Sequence, residues 1–346
     1  MKRVTVIAGL LGLGLTVWML MQFGARSILS LVMTGGWGVL AAIVFHTVQV
    51  ALSAQAWRTI AGHKHGSPLS WQDYFALRCV REGINNLLPV AQVGGEVWSS
   101  RLLAKRGLGT RKVAAATICD LTLELLSQVL FTFVGLGLLL FLVKRSHVTD
   151  ELLESALVAL AIGLAVFASQ WLGAVAFVEV LLVKIAGHLG WNGVDGIRGL
   201  HQEVLGLYKV KRNAVSALIL QYLAWALGAV EVCLILHFLG HDRSLAVGFV
   251  IEGVGEAAKS AGFAVPGALG VSEGGYILVG SLFGVAPPVA IALSLIKRVR
   301  EIAWGVPSLC LWQVLEHRWD TPAQGAERPA SCAQSVGKNP LSRSGL

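Results

Sequence analysis

Charge is scarce in this chain. Asp, Glu, Lys and Arg make up 14% of its 346 residues, against about 25% in soluble domains. Too few charged groups are present to coat a series of water-soluble globules, which excludes an ordinary soluble enzyme. Cysteine is scarce too. Cys79, Cys119, Cys233, Cys310 and Cys332 form no CxxC pair, which argues against a disulfide framework or a zinc finger. The sequence also lacks a nucleophile elbow, a P-loop and an HExxH motif, so no nucleotide, metal or other cofactor is expected.

What is present is apolar. Hydrophobic residues account for 55% and the mean hydropathy is +0.68. A membrane-spanning helix needs about 20 mostly apolar residues. Val4–Phe23 qualifies, read as a retained first helix rather than a cleaved signal. So do Trp37–Trp57, Val113–Val143, Ser155–Val183, Asn213–Phe238 and Pro287–Leu315. These give an all-α polytopic membrane protein of about six full transmembrane helices. Residues 1–315 form the membrane domain, and 316–346 read as a polar, disordered tail. His63, Lys64 and His65 read as a solvated loop.

The net charge is +8. Its basic residues lie between apolar runs rather than on one soluble face, so nucleic acid is not the expected partner. Lys2–Arg3, the 58–112 segment, the 184–212 link and the tail hold 20 of the 28 basic residues. By the positive-inside bias, all four, and hence both termini, are expected in the cytoplasm.

Two segments do not read as simple spans. One contains Asn85, Asn86, Pro89, Gln92, Gly94, Gly95 and Glu96. The other contains Pro266, Gly267, Gly270 and Glu273. In each, a glutamate follows the proline by seven positions. Proline interrupts a helix and removes a donor, and glycine permits tight turns. Both segments are expected to be re-entrant broken-helix hairpins. With the topology above they enter from opposite sides, as in an inverted repeat with halves near 71–143 and 245–315. The 177 positions that carry Pro89 onto Pro266 also carry Glu96 onto Glu273, Asp120 onto Lys297 and Glu124 onto Glu301. Broken backbone at membrane depth is tolerated where it is buried or lines a wet cavity. A restarting helix aims its positive end at the gap and suits an anionic or polar head group. Glu96 and Glu273 then either cap their own helices or line a central cavity.

Charges inside spans are costly and face the bundle interior. Asp120 and Glu124 share a helix face, as do Lys297 and Glu301, Arg78 and Glu82, and Arg81 and Asn85. One reading has the acidic pair neutralising Lys297, Arg298 and Arg300. Such bridges are either purely structural or partners in a gate. Glu256 and Lys259 are expected to pair beside Glu252. Glu231 stands alone, a candidate for proton coupling. Trp57, Trp71, Trp98, Trp304 and Trp312 read as interface or packing residues. Asp120-x-x-x-Glu124 has the spacing of half a metal–diphosphate site, but Lys259 beside Glu252 and Glu256 is wrong for the other half.

The stretches Gln92-Val93-Gly94-Gly95-Glu96, Cys119-Asp120-Leu121-Thr122-Leu123-Glu124, Val265-Pro266-Gly267-Ala268-Leu269-Gly270-Val271-Ser272-Glu273 and Lys297-Arg298-Val299-Arg300-Glu301 resemble the flippase-like superfamily. That group includes the membrane region of lysylphosphatidylglycerol synthases. More narrowly, the chain resembles the hopanoid-biosynthesis-associated (HpnL-type) membrane proteins. No stretch resembles the synthases' separate catalytic domain. The resemblance therefore implies a bacterial inner-membrane lipid transporter for hopanoid or phospholipid, without lipid aminoacylation. The rivals are a lipid-modifying membrane enzyme and a scaffold for lipid-biosynthesis enzymes.

Overall fold

A computed structural model of the protein describes residues 36–62, 69–88, 94–142, 199–261 and 270–320. Among them are nine helices and no strand. They are α1 (Gly36–Ile60), α2 (Trp71–Leu87), α3 (Gly94–Lys105), α4 (Thr110–Leu142), α5 (Leu200–Lys209), α6 (Lys211–Phe238), α7 (Leu245–Ala261), α8 (Val271–Leu282) and α9 (Pro287–Asp320). The expected spans at 4–23 and 155–183 lie outside the described residues, as do Pro89, Gln92, Pro266 and Gly267.

Three helices, α1, α4 and α6, are long and apolar enough to cross a membrane. Their outward faces are apolar as well. Trp37, Leu40, Val44 and Val48 line one exposed face of α1, and Val215, Ile219 and Leu223 one of α6. Arg78, Arg81, Asp120, Glu231, Glu252 and Lys297 are buried. Apolar outside and charged inside is stable only where the solvent is hydrocarbon.

The buried apolar residues form two clusters. The first gathers α2, α3 and α5 with Trp57 of α1, Cys119 of α4, Ala217 of α6 and Leu315 of α9. The second gathers α7 and α8 with Ala42 of α1, Leu139 of α4, Val232 of α6 and Leu293 of α9. Helices α1 and α9 thus run from the second cluster to the first, and α4 and α6 run the other way.

Helix order is duplicated at a fixed register. The 177-residue shift carries α3 onto α8 end to end, and it carries α1, α2 and α4 onto α6, α7 and α9 within a few residues. Contacts cross between the sets: α1 packs along α6, α2 along α9 and α7 along α4. Where α2 meets α9, Gly83 faces the Gly305 backbone and Ser308, small residues that let the helix axes approach.

Helix α2 starts on a capping box, with the Ser70 hydroxyl accepting from the Asp73 amide and Asp73 returning a bond to the Ser70 amide. Helix α9 runs to Asp320, past the expected span end at Leu315. Glu316 is anchored rather than part of a free tail, 2.6 Å from Lys105 Nζ and 3.1 Å from Arg101.

Candidate functional site

Between the two apolar clusters lies a polar layer around a cavity of about 330 Å³. Every long helix passes through it. His46, Gln49 and Ser53 come from α1, and Arg78, Arg81, Glu82, Asn85 and Asn86 from α2. Glu96 begins α3, and Glu124 and Gln128 come from α4. Gln221 lies on α6, Glu252, Glu256 and Lys259 on α7, and Arg300 and Glu301 on α9. Leu121, Leu125, Ala224 and Trp225 supply an apolar wall.

One side of the cavity is organised by Arg81. Its Nε donates to Glu96 at 2.9 Å, Nη1 to Asp120 at 2.7 Å and Nη2 to Glu124 at 2.7 Å. Arg78, one turn earlier, donates to both oxygens of Glu124. Asn85 adds its amide to Glu96 at 3.0 Å. Planar guanidinium forks suit this work, because each offers several fixed donors to carboxylates. Asp120 is held from behind by Gln221 Nε2 at 2.9 Å, and Gln221 in turn accepts from Ser53 at 3.0 Å.

The other side has its charges reversed. Helix α7 sets Glu252 and Glu256 against Lys297 of α9, and its Lys259 against Glu301 of α9. Lys297 Nζ donates to both oxygens of Glu252 at 2.6 and 2.7 Å, to Tyr276 at 2.9 Å and to Glu256 at 3.3 Å. Lys259 donates to Glu301 at 2.6 Å. Arg300 Nη1 lies 2.7 Å from both oxygens of Glu231, which also accepts from Gln49 at 2.6 Å. His46 Nε2 lies 3.0 Å from Glu82, joining α1 to α2.

These contacts correct three expectations drawn from spacing. Asp120 and Glu124 neutralise Arg78 and Arg81, not Lys297, Arg298 and Arg300, because the α2 cations reach them first. Lys259 takes Glu301 rather than Glu256 as its ion-pair partner. Glu231 is not alone, being fully buried against Arg300 and Gln49. Arg298 reaches Ser272 and Glu273 of α8 and lies 3.7 Å from Glu301 on its own helix.

Glu96 and Glu273 occupy the same place, the third residue of a restarted helix. They are used differently. Glu96 lines the cavity. Glu273 accepts from the Gly270 amide at 2.7 Å and from Ser272 and Ser294, buried at the start of α8, so it does the capping work. Of the expected site, Arg81, Asn85, Asn86, Glu96, Glu124, Glu256, Lys259, Arg300 and Glu301 line the cavity. Asp120, Lys297 and Glu273 stand behind it as buried partners. Gly94, Gly95, Gly270 and Arg298 pack or cap nearby. Sequence reasoning missed His46, Gln49, Ser53, Gln128 and Gln221 as lining residues. The signal was available on α1, where His46, Gln49 and Ser53 share one face of an apolar span.

Gly95 shows how tightly the start of α3 packs against α2. Its amide donates to Asn85 Oδ1 at 2.8 Å. A Cβ there would sit 2.2 Å from the Arg81 carbonyl oxygen and 2.8 Å from Asn85 Oδ1. Gly95→Ala should therefore destabilise the protein by about 1–3 kcal/mol. The control is Gly137→Ala, where a Cβ meets nothing within 4 Å. Thermal unfolding in detergent should show a lower midpoint for Gly95→Ala and none for Gly137→Ala; equal midpoints would refute this close packing.

No group of three or more His, Cys, Asp or Glu able to hold a metal ion is found among the described residues. Residues 5–306 match the family described as the lysylphosphatidylglycerol synthase TM region. A UPF0104 membrane protein of Methanothermobacter thermautotrophicus is 26% identical over 276 residues, covering 75% of this chain and 80% of that protein. No solved structure matches.

Proposed function

Because the chain belongs to the lysylphosphatidylglycerol synthase TM-region family, a family of membrane proteins, we propose that it is a flippase-type lipid transporter of the bacterial inner membrane. Its cargo on this reading is a hopanoid or a phospholipid. The observation that carries the proposal is the charged cavity of about 330 Å³ between two apolar clusters. Ionisable groups at membrane depth mark substrate pathways. The wall alternates carboxylates with guanidinium and ammonium groups, so a zwitterionic or polyhydroxylated head group finds partners of both kinds while the tails stay in the bilayer.

The duplicated register, together with helices that run in opposite directions between the two clusters, supports an inverted repeat of α1–α4 and α6–α9. Transporters with such repeats alternate access by rocking one bundle against the other. The polar contacts that cross between the sets, Arg300 to His46, Gln49 to Glu231 and Gln221 to Asp120, are the contacts such a motion would exchange. The basic bias of the loops supports a topology with both termini in the cytoplasm.

The cellular test compares membranes with and without the protein. A transporter leaves the lipid species unchanged and shifts the head groups of one species between leaflets, read with a membrane-impermeant amine or diol reagent. Loss of a chemically distinct lipid would indicate an enzyme instead. Unchanged lipids with unchanged sidedness would leave a scaffold for lipid-biosynthesis enzymes as the better reading.

A further inference from the structure

A second cavity, of about 350 Å³, runs between α3 and α4. Its character is opposite to the first. Val97, Ala104, Val113, Ala114 and Ile118 line it, and Ser100 and Thr117 turn their hydroxyls to each other at 2.8 Å. Small side chains at 104 and 114 give it depth. Val97 is 63% exposed, on the side open to the surroundings.

The two ends of this groove differ. At one end is Glu96, which also lines the polar cavity. At the other are Arg101 and Thr110, beside the exposed Arg111 and Lys112. Arg101 is 51% exposed, with its guanidinium over the Trp98 ring at 5.0 Å and one nitrogen 3.1 Å from Glu316, which it shares with Lys105. Thr110 to Ile118 spans about 12 Å at 1.5 Å per residue. That is close to the hydrocarbon depth of a single leaflet, roughly half of 30 Å.

We propose that the α3–α4 groove is a docking site for one acyl chain of a phosphate-bearing membrane lipid, with the phosphate at the Arg101–Lys112 end and the chain running toward Glu96. An apolar slot one leaflet deep, closed by arginine and lysine at its outer end, matches a phospholipid in its ordinary orientation. Basic residues near the surface attract anionic head groups, and the Arg101 fork suits phosphate oxygens. Because Glu96 belongs to both cavities, a lipid held here waits at the doorway of the polar one. The inference rests on the transport reading for that last role, whereas the binding itself does not need it.

The test uses the whole protein in phosphatidylcholine vesicles doped with phosphatidylglycerol that carries a diazirine on one acyl chain. After illumination, adducts are mapped by mass spectrometry. Adducts at Val97, Ala114 and Ile118 should exceed those at the lipid-facing Ile219 and Leu223 of α6 by roughly tenfold, equivalent to about 1.4 kcal/mol. Ala114→Phe fills the groove from within and Val97→Trp from its open side; whichever keeps the wild-type thermal midpoint should lose the excess. Arg101→Gln should lower labelling by phosphatidylglycerol and by a phosphatidylcholine probe alike, and leave labelling by a phosphate-free diacylglycerol probe unchanged. Equal adduct yields on the groove and on α6 would reduce the site to bulk lipid and overturn the proposal. Disulfide-linked dimers of Val97→Cys would overturn it too, by covering the groove with a second copy. Groove labelling in vesicles that show no lipid translocation would uphold the site and sink the transport reading; translocation without groove labelling would do the reverse.

Discussion

Replacing Arg81 by methionine should destabilise the protein by about 3–5 kcal/mol, the usual cost of removing one partner from a buried ion cluster. Arg81 is 3% exposed and is the common donor to Glu96, Asp120 and Glu124. Methionine keeps much of the volume and removes every donor. Three carboxylates then face one another with only Arg78, Asn85 and Gln221 left to share. Lysine should rescue little, because a single ammonium cannot reach three carboxylates at once. Adding Asp120→Asn to Arg81→Met should restore part of the loss, since it removes a charge but keeps a polar partner for Gln221. Thermal unfolding in detergent reads the series. A midpoint for Arg81→Met equal to that of the wild type would mean that the cluster does not hold α2, α3 and α4 together.

The second large effect concerns passage rather than stability. Leu125 lies on the apolar wall of the polar cavity, one turn from Leu121 and facing the charged side chains. Leu125→Trp places an indole in that space without replacing any residue of an ion pair. Lipid translocation by the reconstituted variant should fall by about tenfold or more, an added barrier of at least about 1.4 kcal/mol, while the thermal midpoint stays near the wild-type value. Unimpaired translocation by a folded Leu125→Trp protein would place the lipid path elsewhere.

Much of this architecture is legible in the sequence because the signals are local. The prolines and glycines announce new helices from about Glu96 and Ser272, and α3 begins two residues earlier, at Gly94, and α8 one residue earlier, at Val271. Buried charges such as Asp120 and Lys297 announce themselves by sitting in apolar runs. Partner choice is not local. Spacing places Asp120 and Glu124 on one face of α4, but it does not say that the Arg78 and Arg81 forks of α2 arrive there before the α9 cations. The same holds for Glu231, solitary in its own helix and paired only when α9 delivers Arg300. His46 and Gln49 were hidden differently, because two polar residues barely dent the hydropathy of α1. The two glutamates at the breaks also diverge for a nonlocal reason. Arg81 and Asn85 draw Glu96 toward the cavity, whereas Ser272, Ser294 and the Gly270 amide hold Glu273 at its own helix end.

The central claim is that the polar cavity carries lipid head groups across the membrane. Purified protein in phospholipid vesicles, with fluorescent head-group-labelled lipids in both leaflets and a membrane-impermeant quencher outside, tests it most directly. Wild-type protein should expose the inner-leaflet label over time, and Leu125→Trp should do so about tenfold more slowly. Quenching that stops at the outer-leaflet fraction for wild-type protein, as in protein-free vesicles, across phospholipid and hopanoid probes alike, would contradict it.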